Sequence, residues 1–171
     1  MAKFIALLRA VNVGGTGKLP MADLKSLCAD AGFDGIETYI ASGNVVFESK
    51  ERAARVQSEL ESRLRDYAQK PIGVFVRTPA QLREILRGNP FSKVDPRLTY
   101  VFFLEHKPSH DATTNVLRRV DEELCAGKRE IYVHYPSGMG QSKLVIPAAK
   151  YATARNMNTI AKLVAMSSHS T

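Results

Sequence analysis

FIALLRAVNVGGTGKLPMADLKSLCADAGFDGIETYIASGNVVF, residues Phe4–Phe47, decides the fold. Phe4, Ala6, Leu8 and Ala10 alternate with Ile5, Leu7 and Val11, so a strand over Phe4–Asn12 is apolar on both faces. Such a strand belongs in the middle of a covered sheet. A glycine-rich loop follows, and then a helix over Met21–Ala31 with Leu24, Leu27, Cys28 and Ala31 on one face and Gly32 as its stop. Strands over Ile36–Ala41 and Val45–Glu48 flank Ser42-Gly43-Asn44, where Gly43-Asn44 suits a type II′ hairpin turn.

Working outward, Ser49 is positioned to cap a helix reaching Ala68, with Val56, Leu60, Leu64 and Tyr67 inward, and Ile72–Arg77 reads as the next strand. The order βαββαβ is that of the ferredoxin-like arrangement. Thr78-Pro79-Ala80-Gln81 is a capping box with proline at the first helical position, and the helix it starts ends at Gly88. Beyond Pro96 come a strand over Leu98–Glu105, a helix over Ala112–Ala126 with Val116, Leu117, Val120 and Leu124 inward, and a strand over Ile131–Tyr135. Ser142–Pro147 reads as a strand paired through the Pro136–Gly140 turn, with a short helix as the alternative, before a last helix over Asn158–Met166. The expected fold class is therefore α+β. Residues 1–77 form a ferredoxin-like subdomain, and residues 78–171 form a second α/β half packed against it, suspected as a degenerate repeat.

At 171 residues, 44% hydrophobic and 24% charged, the chain has the composition of an ordinary globular protein. Phe4–Val13 is interrupted by Arg9 and lacks a cleavage site, which argues against a signal peptide. No apolar run has the length of a membrane span. Cys28 and Cys125 show no CxxC spacing and suit free thiols in a reducing cytoplasm.

The net charge of +7 is concentrated at the two ends. Lys3, Arg9 and Lys18 occur in residues 1–22 without an acid, and Lys143, Lys150, Arg155 and Lys162 occur in residues 136–171 without one. These seven account for the whole excess, since residues between them are balanced. An anionic partner follows as the expectation, either a small phosphorylated molecule or a nucleic acid, with no membrane partner.

Asn12–Pro20, NVGGTGKLP, resembles a phosphate-binding P-loop but departs from GxxxxGK[ST]. Asn12 stands where the first glycine belongs, Leu19 stands where a magnesium-binding hydroxyl belongs, and Pro20 starts the helix after the lysine. The backbone around Gly14 and Gly15 still offers N–H groups to an anion, with Lys18 beside it. A second candidate set is Arg9 and Asn12 with Asn44, which could equally be a hydrogen-bond network tying loops together. The third is Arg155, Asn156 and Asn158 at a helix start, where capping accounts for one asparagine and not for both plus an arginine. One cleft is expected to gather these sets, bringing Arg9 or Asn12 near Arg155–Asn158. His106 and His110 are four apart, but Pro108 lies between them and no third ligand is evident, so no metal or other cofactor is expected. Neither cysteine is placed as a nucleophile, and no catalytic residue is assigned. An RNA-recognition module shares the βαββαβ order, yet NVVFES carries only Phe47 of the stacking aromatics it would need.

LLRAVNVGGTGKLPMADLKSL, YIASGNVVF, GMGQSKL and TARNMNTIAKL, in this order, resemble the bacterial family known as domain of unknown function 1697 across the whole chain. The resemblance implies a small cytoplasmic α+β protein with a ferredoxin-like portion. It brings no activity and no catalytic residues. The expectation carried forward is a binding module for an anionic ligand, with a small enzyme acting on an anionic metabolite or a protein-interaction scaffold as alternatives.

Overall fold

The protein's structure, a computed structural model, describes residues 1–12 and 18–168. The chain forms two compact units, one of Met1–Leu82 together with the chain from Leu163, the other of Arg83–Lys162.

In the first unit β1 (Ala2–Leu8), α1 (Met21–Asp30), β2 (Asp34–Tyr39), β3 (Asn44–Ser49), α2 (Ala53–Ala68) and β4 (Val74–Arg77) follow the βαββαβ order. The sheet order is β2-β3-β1-β4 with every pairing antiparallel, as in a ferredoxin-like fold. The doubly apolar strand is central, with Ile5 registered between Val46 and Arg77, and Leu7 between Asn44 and Phe75. Phe4, Ala6 and Leu8 join Val45, Phe47, Val74 and Val76 in a core with Leu24 and Cys28 of α1 and Val56, Leu60 and Leu64 of α2. Each of these large apolar side chains contributes about 1.5–3 kcal/mol on burial. Phe33 stacks on Phe47 with ring centroids 4.4 Å apart.

The local ends differ from the sequence reading. Leu8, not Asn12, ends β1, because Ala10 and Asn12 take left-handed φ values of 55° and 56° and turn the chain away. Tyr39 pairs with Asn44, so the β2–β3 loop is residues 40–43, with Ile40 at φ 49° and Gly43 at φ 89°; a two-residue Gly43-Asn44 turn does not form. A Cβ on Gly43 would lie 2.7 Å from Val11 Cγ2, so only glycine fits there. Ser49 ends β3 and its Oγ accepts the Glu51 N–H, while α2 starts later, after Arg52. Tyr67 faces outward and donates its hydroxyl to Asp23 Oδ2 at 2.6 Å. In β2 the register slips between Asp34 and Glu37, a bulge in an edge strand.

The capping box forms as read. Thr78 N–H donates to Gln81 Oε1 at 2.9 Å, Gln81 N–H donates to Thr78 Oγ1 at 3.2 Å, and α3 runs Pro79–Arg87. The second unit contains β5 (Thr99–Phe103), β6 (Glu123–Ala126), β7 (Glu130–His134) and β8 (Thr153–Asn156), and α4 (Met157–Ser168) begins there. Its sheet is also antiparallel, in the order β6-β7-β5-β8. Ile131, Val133, Tyr135 and Ile146 form its core with Leu104 and Ala112.

The helix expected over Ala112–Ala126 is absent. Asp111 O accepts from Thr114 and Asn115, Leu117 makes an isolated bridge with Val145, Arg118 takes φ 59°, and Glu123–Ala126 is strand. Ser142–Pro147 is neither strand nor helix: Val145 alone pairs, between short 3-10 turns at Met139–Gln141 and Pro147–Ala149. Among the described residues no helix is long and apolar enough to cross a membrane.

Candidate functional site

The sequence-derived candidates divide between the two units. Arg9 follows β1 half-buried, with its N–H on Gly73 O at 2.9 Å and its side chain beside Gly73. Asn12 Nδ2 donates to Leu19 O at 2.8 Å and Ala41 O at 2.7 Å, while Asn12 Oδ1 accepts Leu19 N–H at 2.6 Å. Asn44 is fully buried at the start of β3, and its Nδ2 donates to Tyr39 O and Ser42 Oγ. Asn12 and Asn44 therefore meet at the same hairpin loop, each bonded to it. Lys18 is exposed; Gly14 and Gly15 lie outside the described residues.

In the second unit Arg155 is 6% exposed in β8, opposite Val101. Its Nη1 donates to Thr153 Oγ1 at 2.7 Å and Ala154 O at 2.9 Å. Burial pulls the guanidinium down to about 10, so it stays charged at neutral pH. Asn156 Oδ1 accepts Thr159 N–H at 2.9 Å and caps α4, whereas Asn158 is exposed on the first turn. Among the described residues no group of three histidines, cysteines or carboxylates is placed to hold a metal ion.

Sequence reasoning missed a groove of about 480 Å³ within the second unit. Arg118–Glu122, Tyr135, Ser137, Gly138 and Gln141–Lys143 line it, and most of the lining is carbon. Its shape follows from two turns: Arg118 at φ 59° swings the chain outward before β6, and Gly138 at φ 87° starts the turn after β7. Glu122, 3% exposed, fastens the two segments together. Its Oε2 accepts Val120 N–H at 2.7 Å and its Oε1 accepts Ser142 Oγ–H at 2.9 Å. The Val120 N–H foremost holds this carboxyl below its ordinary range, with Ser142 adding to it against the cost of burial. Arg119 Nε donates to Glu122 O, and Ser137 Oγ donates to Asp121 Oδ2 at 2.7 Å.

Both acids of the groove thus have protein donors. The Arg118 guanidinium, Lys143 ammonium, Gln141 amide and Tyr135 hydroxyl have no hydrogen bond or ion pair among the described residues. Tyr135 is 4% exposed and meets Tyr100 edge-on, with centroids 5.7 Å apart. Burial, with Glu122 and Tyr100 adding to it, pushes its hydroxyl up to about 12, so it remains a donor. Two signals for this groove were present in the sequence. Arg118-Arg119 fell inside the expected helix, and Gly138–Leu144 was read as a turn, the start of a strand and a motif of resemblance, not as part of a site.

A family model described as "Protein of unknown function (DUF1697)" matches residues 1–132. A conserved bacterial protein from Streptococcus pneumoniae has a similar structure, with a TM-score of 0.79, 26% identity, and 99% of each chain covered. No curated protein matches the sequence.

Proposed function

This chain belongs to the DUF1697 family of proteins of unknown function, and we propose that it is a binding module for a small anionic ligand seated in the groove between Arg118–Glu122 and Tyr135–Lys143. One observation carries the reading: the groove's carboxylates are held by Val120, Ser142 and Ser137, while the cations of Arg118 and Lys143 have no partner among the described residues. An incoming anion therefore meets donors that it need not detach from acids, beside a mostly apolar wall that strengthens the attraction. A groove volume of about 480 Å³ suits a small molecule. Polynucleotides need a line of cations tracking their phosphates, so a small ligand is the better fit. A cytoplasmic location goes with this reading, supported by Cys28 and Cys125, which are both free thiols.

The test is calorimetric titration of the full chain with a panel of phosphate and carboxylate metabolites. Arg118→Ala and Lys143→Ala should each weaken the best anion by roughly tenfold, about 1.4 kcal/mol, without moving the unfolding midpoint. An unchanged affinity in the double variant would remove the groove from consideration, and no binding by any anion would end the reading.

A further inference from the structure

We infer that the ligand of this groove is a mononucleotide, a flat nitrogen heterocycle joined to a phosphate; this rests on the anion-binding reading above. A bare phosphate would use the cations and leave the carbon lining exposed to water. Val120, at 87% exposure, and the ring of Tyr135 contribute to that lining. Contact with a planar, weakly hydrated body is what such a lining rewards.

The polar atoms specify the body further. Tyr135, nine-tenths buried and lining the groove, has a hydroxyl without a partner among the described residues. Glu122 lies within electrostatic reach of it and lines the same groove. A carboxylate has roughly four acceptor sites, and the two hydrogen bonds of Glu122 to Val120 and Ser142 leave acceptor capacity. The groove lining thus holds both a hydroxyl donor and a carboxylate acceptor, and a nucleobase edge carries both an acceptor and a donor to meet them. A plain aromatic acid lacks that edge. Arg118 offers a guanidinium fork to two phosphate oxygens, and Lys143 adds a point charge.

The experiment titrates the full chain with ribonucleoside monophosphates, the matching nucleosides, ribose 5-phosphate, inorganic phosphate and benzoate. A monophosphate should bind at least about tenfold tighter than its nucleoside and than ribose 5-phosphate. Arg118→Ala with Lys143→Ala should remove the advantage over the nucleoside. Tyr135→Phe should weaken the monophosphate and leave ribose 5-phosphate unchanged. Because Tyr135 is a core residue, Val120→Ser supplies a surface variant with the same expected selectivity. If ribose 5-phosphate or phosphate binds as tightly as any nucleotide, the mononucleotide is overturned while anion binding stands. Benzoate binding tightest has the same meaning. If no anion binds, both ideas fall.

Discussion

Asn12 occupies a left-handed backbone position and uses its whole amide to join two loops, so its replacement separates two effects usually confounded. Asn12→Ala leaves Leu19 N–H, Leu19 O and Ala41 O without their partner and also places a Cβ-bearing residue of poor turn propensity at φ 56°. Asn12→Gly loses the same bonds and relieves the backbone. The first should cost about 2–4 kcal/mol and the second roughly 1 kcal/mol less, measured as urea unfolding free energies. Equal losses would mean that the turn carries no strain. The sequence reading had weighed Asn12 both as a ligand donor and as a loop tie. It could not tell which, because Leu19 and Ala41 approach Asn12 only once the hairpin and the helix are docked.

At the scale of elements, the capping box was legible, whereas the Gly43-Asn44 turn and the competition between distant segments were not. The capping box at Thr78 was readable because both of its hydrogen bonds close within three residues. Thr78→Ala should destabilise the protein by about 1 kcal/mol. Gln81→Ala added to it should cost much less than its own single loss, since the two side chains act as a pair; full additivity, read by denaturant midpoints, would refute reciprocal capping. The region 112–126 failed for the opposite reason. Its apolar spacing suits a helix, but Thr113, Thr114, Asn115 and Val116 are weak helix formers. Leu117 finds a partner in Val145, and the Glu122 carboxylate takes the Val120 N–H that a helix would have used. The Leu117 bridge and the Ser142 hydroxyl that holds Glu122 come from residues twenty or more positions away in the chain, beyond the reach of any periodicity argument. The groove was hidden by the same misreading, since a helix there would have placed Arg118 on a solvated face.

For the whole molecule, the groups buried in protonated form set the response to alkali. Burial raises the Cys28 thiol from 9.0 to about 12 and Tyr135 from 10.0 to about 12, and Tyr132 is also raised by burial. The unfolded chain releases these protons first, so their stabilising contribution is complete below the unfolded values and is lost as pH rises through the folded ones. Arg155, lowered from 12.5 to about 10, works in the opposite direction only at higher pH. Stability should therefore decline from about pH 9, where Cys28 acts first. Cys28→Ala should lower stability everywhere through lost packing, yet flatten the decline between about pH 9 and about pH 10 in urea titrations. An unchanged slope would show that the thiol is not the first group to titrate. The sheet order of the first unit was legible at this scale from the βαββαβ order together with the central place of β1, apolar on both faces. The second sheet was only partly legible, its β6 having been read as the end of a helix. The bulge in β2 has a consequence for life in a crowded solution. A sheet edge invites a second copy of the chain to add its own strand. The slipped register at Asp34–Glu37, with Gly35 at φ 58° and two carboxylates along the rim, deprives a newcomer of a straight ladder to bind. Such an edge should pair poorly with the straight strand of a second copy.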